Sequence, residues 1–228
     1  MCGRYTLKTE PVELAEHFQL VVLPELVARY NIAPTQAAPI VRAAESGGKR
    51  HMTSVQWGLI PSWAKDRSMG ARMINARSET AATKPAFRGP MKYRRCVVPA
   101  DGFYEWQKQG TGKQPYYIHL RDGGPFGLAG IWEHWEDADG SAIESCCILT
   151  TTPNELVQPI HDRMPVILRP ADYEVWLDPA MQDAAAVQPL LRPCPDEMLT
   201  LYPVSRHVNS PRNDDERCIE PEQGGLFG

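Results

Sequence analysis

Between residues 96 and 152 the chain passes through five short apolar or aromatic stretches, one after another: 96–99, 103–108, 116–120, 127–132 and 146–152. Each has the length and residue types of a β-strand. The sequence QGTGK between Lys108 and Gln114 joins the second and third as a hairpin. Strands that follow one another this closely pair antiparallel, because a parallel neighbour needs a long crossover. Residues 38–44 and 51–57 read as two further strands, the second alternating through Met52 and Val55 toward Trp57. The expected fold is therefore α+β, a single domain with a mostly antiparallel, barrel-like β core and a few peripheral short helices.

The 21 prolines keep those helices short and the loops numerous. Thr9 reads as the N-cap of a first helix whose apolar stripe is Leu14 and Phe18. Ser78 reads as the N-cap of a second, SETAATKPAF, which Pro85 limits. Residues 154–158 suggest a helical turn, 166–168 a short strand, ADYEVWLD after Pro170 a helix, and 181–191 another. Residues 22–35 and the polar stretch after Ser210 read as irregular. No repeat, low-complexity tract or linker divides the chain.

The formal net charge of -4 excludes a uniformly basic nucleic-acid protein. It hides an asymmetry. Residues 1–95 hold 15 Lys and Arg against 7 Asp and Glu, whereas 96–228 hold 9 against 21. One basic face on an acidic body is allowed. No apolar run approaches the roughly 20 residues of a membrane span, and MCGRYTLKTE lacks an apolar signal core. The expectation is a cytoplasmic protein with no membrane partner. Six cysteines without a C-x-x-C pair fit reduced thiols rather than a disulfide framework.

Cys2 is the most unusual position. Removal of Met1 would leave an α-amine and a thiol on adjacent carbons. Such a 1,2-aminothiol condenses with an aldehyde to a Schiff base, and the thiol then closes a thiazolidine. An internal cysteine cannot do this, because its nitrogen is an amide. Reference pKa values of about 8 and about 8.5 leave usable neutral forms near pH 7. Alone, Cys2 reads first as a small buried hydrophobe. Gly3 and Arg4 beside it permit close backbone approach and offer a phosphate fork.

Glu105 lies in DGFYEW; in a strand it shares a face with Phe103, and Tyr104 shares the other with Trp106. A carboxyl among aromatics has a raised pKa and suits proton donation, though an edge-strand glutamate at the surface fits the same residues. His161 in IHDRMP and Asn75 in INAR read as a proton shuttle and an orienting amide, or as an ordinary loop histidine and a turn residue. Arg77 shares Asn75's side of an extended segment. Trp63, in a Pro-Gly loop, is the tryptophan best placed to stack on a base; the other five read as core. No dinucleotide, P-loop, nucleophile-elbow or zinc pattern occurs, so neither cofactor nor metal is expected.

Taken together, MCGRY, RYNIAPTQ, WGLIPSW, INARSET, RRCVVPADGFYEW, KQPYYI, LAGIWE, LTTTPN, IHDRMPVIL and PVSRHVNSPRNDD resemble, in order, the SRAP family, named for SOS response-associated peptidase. The resemblance covers residues 1–221 as one domain and leaves 222–228 as a short tail. It implies a protein of the DNA damage response that senses abasic sites in single-stranded DNA and crosslinks to them; junctions of single- and double-stranded DNA would suit a groove that ends in a protein wedge. Nothing in the sequence suggests an obligate assembly, so the expectation is a monomer, associated with the nucleoid when bound to DNA. The family nucleophile falls on Cys2, and its active-site residues fall on Asn75, Glu105 and His161. Phosphate-binding positions fall on Arg4, Arg77, Thr150 and Arg163, and Asn31 and Pro34 match the loop lining the DNA groove. The chain departs from some members in having Trp63 followed by Ala64 rather than a second tryptophan. Lys84 stands where some have arginine, keeping the charge and losing the fork.

The expected chemistry is covalent capture, Schiff base then thiazolidine, with weak lyase leakage by β-elimination before ring closure. Two other classes stay open: a thiol peptidase that removes Met1, and a non-covalent single-stranded DNA-binding module.

Overall fold

In the computed structural model, residues 2–44 and 49–222 are described. The strands are β1 (Tyr5–Leu7), β2 (Arg29–Ile32), β3 (Ala37–Ala43), β4 (Arg50–Trp57), β5 (Asn75–Arg77), β6 (Arg95–Ala100), β7 (Gly102–Gln109), β8 (Gly112–Leu120), β9 (Phe126–Glu136), β10 (Ala142–Thr151), β11 (Met164–Pro165), β12 (Ile167–Leu168) and β13 (Leu199–Pro203). The helices are α1 (Pro11–Phe18), α2 (Ser78–Ala81), α3 (Arg88–Tyr93), α4 (Tyr173–Leu177) and α5 (Ala184–Val187).

All five stretches of the middle region form strands, and β7 and β8 pair antiparallel from Gly102–His119 to Gln109–Gly112, as the hairpin reading requires. Five strands close on themselves: β4 pairs β3, β3 pairs β6, β6 pairs β9, β9 pairs β10, and β10 returns to β4. The closing β10–β4 pairing is parallel, and β5 also runs parallel to β10. Closure removes the free edges that an open sheet exposes. A second sheet, ordered β13–β8–β7–β1–β2, packs beside this ring. The result is a single α+β domain with a barrel-like core, as expected.

The core gathers between these layers. Trp57, Trp176, Tyr5, Phe18 and Phe103 are fully buried, and Tyr5 meets Trp57 edge to face at 5.3 Å. Such a ring pair contributes about 0.5–1.5 kcal/mol beyond area burial. Leu14 and Phe18 are the buried stripe of α1. Tyr104 faces a smaller cluster with Tyr117, Val204 and Val208, while Phe103 faces the main core.

Three local expectations are corrected. Thr9 does not cap α1; its hydroxyl donates to Asp101, and Glu10 occupies the cap position ahead of Pro11. Ser78 is the first helical residue of α2 rather than its cap, which is Arg77. That helix ends at Ala81 and the chain restarts as α3, because Pro85 has no amide to continue the ladder. Residues 22–35 are not wholly irregular. β2 forms within them because Asp214, far along the chain, accepts from the Tyr30 and Asn31 amides at 2.6 and 2.8 Å and from Arg29. Of the tail 222–228, residues 223–228 lie outside the described residues, as does Met1.

Candidate active site

The register of β1 against β7 brings the N-terminus to Glu105. Tyr5 stands opposite Phe103, and the Tyr104 amide donates to the Arg4 carbonyl at 3.0 Å. Antiparallel continuation sets Gly3 beside Glu105. Residues on β7 alternate faces, so Glu105 points inward with Phe103. It is only 2% exposed, and burial pushes its carboxyl above the usual range, with His161 pulling the other way.

His161 approaches from the loop after β10, its Nε2 4.0 Å from Glu105 Oε2. The Arg163 amide lies 3.0 Å from His161 Nδ1, and Nε2 is the nitrogen that faces Glu105. Asp162 Oδ1 lies 3.0 Å from the same Nδ1.

Asn75 enters on β5, whose parallel register places Asn75 opposite Ile148 and Arg77 opposite Thr150. Its Nδ2 donates to the Cys2 carbonyl at 2.8 Å. Its Oδ1 is buried with no hydrogen-bond partner among the described residues. The Cys2 thiol is wholly buried, 3.9 Å from the Arg4 carbonyl. Burial first, and the nearby Glu105 charge second, push it well above an ordinary thiol, so it rests protonated. The four residues expected to do chemistry thus meet at one place.

The DNA-binding candidates divide. Arg77 and Lys84 are exposed, and Trp63 is 57% exposed on a loop whose neck is two glycines in contact. Arg4 is half-buried, with its fork on Asn31 Oδ1 at 3.0 Å and the carbonyls of Val208 and Asn209 at 2.8 and 3.3 Å. It borders a shallow cavity of about 430 Å³ with Trp106, Gly112, Lys113, Arg206 and Asn209. Pro34 is half-buried.

Asn31 and Thr150, expected at the DNA groove, are wholly buried. Asn31 Nδ2 donates to the carbonyls of Val208, Ser210 and Asn213, which holds the chain after β13 against β2. The Thr150 hydroxyl reaches the Ala76 carbonyl at 3.5 Å. Arg163 is also buried. Both of its terminal nitrogens pair with Glu79 at 2.8 Å, and Nη2 also donates to the Thr150 carbonyl at 2.6 Å.

Charge counted along the chain misjudged the distribution in space. Lys113 and Arg206, from the acidic part, join Arg4 at its cavity. Arg42, Arg94 and Arg95 instead line a separate cavity of about 260 Å³ with Trp132. Sequence reasoning also passed over Glu79 and Asp214, whose partners lie 84 and 185 residues away.

Among the described residues one group could hold a metal ion: His207, Asp215 and Cys218. Its donor atoms are already engaged. His207 Nε2 meets Asp215 at 3.1 Å, Asn213 contacts Nδ1 at 3.1 Å, and Arg217 grips the Asp215 carboxylate. That arrangement is a hydrogen-bonded clasp rather than an open ligand set.

The model for the family "SOS response associated peptidase (SRAP)" matches residues 1–211. The abasic site processing protein YoqW of Bacillus subtilis is 42% identical, with 96% of this chain and 99% of that protein covered. YedK of Escherichia coli, also named an abasic site processing protein, is 32% identical over 97% and 100% of the two chains. HMCES of Gallus gallus, so named as well, is 35% identical over 86% of this chain and 67% of its own length. A crystal structure of a Bacteroides thetaiotaomicron protein superposes with a TM-score of 0.85 at 29% identity, covering 97% of this chain and 100% of that one. The chain, with its ordered motifs and the site they build, belongs to the SOS response associated peptidase family.

Proposed function

We propose that this protein processes abasic sites in single-stranded DNA by capturing them covalently through Cys2 once Met1 is removed. Abasic-site processing is the activity named for its relatives in Bacillus, Escherichia and Gallus. The observation that supports the covalent step is that Asn75 holds the Cys2 carbonyl, while Glu105, close enough for its charge to act on the Cys2 thiol, stands 4.0 Å from His161.

An abasic deoxyribose interconverts between a ring-closed hemiacetal and an open aldehyde. Glu105, whose carboxyl burial pushes above its usual range, gives a proton to the ring oxygen, and His161 relays protons at the sugar hydroxyl. The Cys2 amine adds to C1′ to form a carbinolamine, and loss of water gives the Schiff base. The thiol sulfur then adds to the imine carbon, and its proton passes to the nitrogen through Glu105. A thiazolidine results, with no oxidant consumed. Asn75 Nδ2 fixes the residue 2 carbonyl, and its Oδ1 is left to accept from the new amine.

A thiol protonated at rest suits this order, amine first and sulfur second. A thiol peptidase needs a thiolate from the start, and burial opposes one. Binding is independent of sequence, since the lesion has no base. Arg4, Arg77 and Lys84 meet phosphates and Trp63 stacks on a neighbouring base. The single domain over 1–221 acts as a monomer, at junctions as well as in single strands.

The test is incubation with a single-stranded oligonucleotide bearing one abasic site, followed by a denaturing gel. A heat-stable shifted band that disappears in Cys2→Ser supports capture. No band with the wild type overturns it. Salt-dependent binding without a covalent band assigns a binding module, and peptide turnover assigns a peptidase.

A further inference from the structure

His161 reaches Glu105 on the segment that joins β10 to β11, which turns sharply over residues 155–160. The turn closes on itself: the Ile160 and His161 amides both donate to the Val157 carbonyl, at 2.9 and 3.0 Å. Its start is held by Asn154, whose Oδ1 accepts from the Val157 amide at 3.0 Å and whose Nδ2 donates to the Cys194 carbonyl at 3.2 Å. Those bonds shape the turn without tying it to β7, the strand that carries Glu105.

Gln107 supplies such a tie. It follows Glu105 by two residues and so shares its face of β7. Its Nε2 donates to the carbonyl of Pro159, two residues before His161, at 3.1 Å. Its Oε1 accepts from Gln109 Nε2 at 2.9 Å and from the Tyr116 hydroxyl at 3.3 Å. Tyr116 in turn stands opposite Glu105 in the β7–β8 register. With its oxygen engaged by two donors of the hairpin, the Gln107 amide directs its NH2 group toward the turn. One strand therefore carries both the buried carboxyl and, about 6.7 Å further along, the tether of the histidine that faces it.

We infer that Gln107 is a positioning residue for lesion capture: by holding the Pro159 carbonyl to β7 it sets where His161 Nε2 stands relative to Glu105. This rests on the capture reading above, in which those two side chains move protons at the sugar. Gln107 acts through the turn and not on the reacting atoms. Its bond to Pro159 is exposed, and an exposed hydrogen bond adds little to global stability. Proton transfer is far more sensitive to a small displacement than folding or DNA binding is, so the effect of Gln107 falls on the rate of the covalent step.

The experiment separates chemistry from binding and from folding. The capture rate is measured with saturating protein on a single-stranded oligonucleotide bearing one abasic site. Affinity is measured on the same oligonucleotide with an unreactive tetrahydrofuran site. Gln107→Met keeps the side chain's length and loses the amide. The expected result is capture about tenfold slower, with affinity within about twofold and an unchanged thermal midpoint. Gln107→Lys restores a donor for the Pro159 carbonyl, and its rate is expected to return to within about threefold of wild type. In a His161→Ala background, Gln107→Met is expected to slow capture no further, because the two residues act as one unit. A Gln107→Met rate within about twofold of wild type overturns the inference. So does an equal slowing by Gln107→Met in the His161→Ala background, which makes the effect a general disturbance of the fold, and so does a Gln107→Lys protein as slow as Gln107→Met. An affinity loss as large as the rate loss also overturns it and makes Gln107 a DNA contact. Absence of any wild-type covalent band fails the capture reading itself, whereas a wild-type band matched by Gln107→Met fails only the role of Gln107.

Discussion

Asn75 Nδ2 donates to the carbonyl oxygen of Cys2 at 2.8 Å across 73 residues of sequence. In the proposed capture, one side-chain amide thus fixes the residue whose amine and thiol both reach a single sugar carbon. Asn75→Ala is expected to slow capture about 10–100-fold, with DNA affinity held within about twofold. Single-turnover gels alongside binding titrations check this; an affinity loss as large as the rate loss contradicts it.

Glu105 carries a pH signature with a defined sign. Its folded carboxyl sits above its unfolded value, so the folded state binds the proton more tightly. The stability it contributes is fully present below the unfolded pKa and is lost as pH rises through the folded one. Glu105→Gln, which cannot ionise, should therefore match the wild type in acid and exceed its thermal midpoint at pH 8. It should also capture abasic DNA about 100-fold more slowly or worse. Melting curves across pH 4–8 and capture rates measure the two effects separately.

Asn31 separates a structural role from a DNA-contacting one. Its side chain serves Arg4 and three carbonyls from inside the fold. Asn31→Ala should cost about 2–4 kcal/mol of stability, read by denaturant unfolding, because it strands several buried polar groups at once. A stable variant with weakened DNA binding would return Asn31 to the surface role.

The Trp63 loop admits a paired test. Trp63→Ala, at an exposed position, should leave stability within about 0.5 kcal/mol and cost about 1–3 kcal/mol of single-strand affinity. Gly70→Ala should lose both, since a Cβ there would lie 2.5 Å from the Gly58 carbonyl oxygen at the loop's neck. Calorimetry and fluorescence titration distinguish them.

Much of this molecule follows from local residue order. Alternation and turn chemistry determined the β-rich middle, the hairpin at QGTGK and the inward face of Glu105, because strand periodicity is written two residues at a time. Cys2 stands out in the sequence for a chemical reason, since only a residue that becomes the N-terminus can offer amine and thiol together. Tertiary structure alone decided the rest. The parallel closure of β10 on β4, the formation of β2 under Asp214 and the burial of Asn31 and Thr150 each depend on partners remote in sequence. So does the engagement of Arg163 by Glu79, which a residue count records only as one charge of each sign. Sequence fixes which groups a chain possesses; which of them face water, and which are consumed by one another, is settled only when distant segments compete for the same hydrogen bonds and the same buried space.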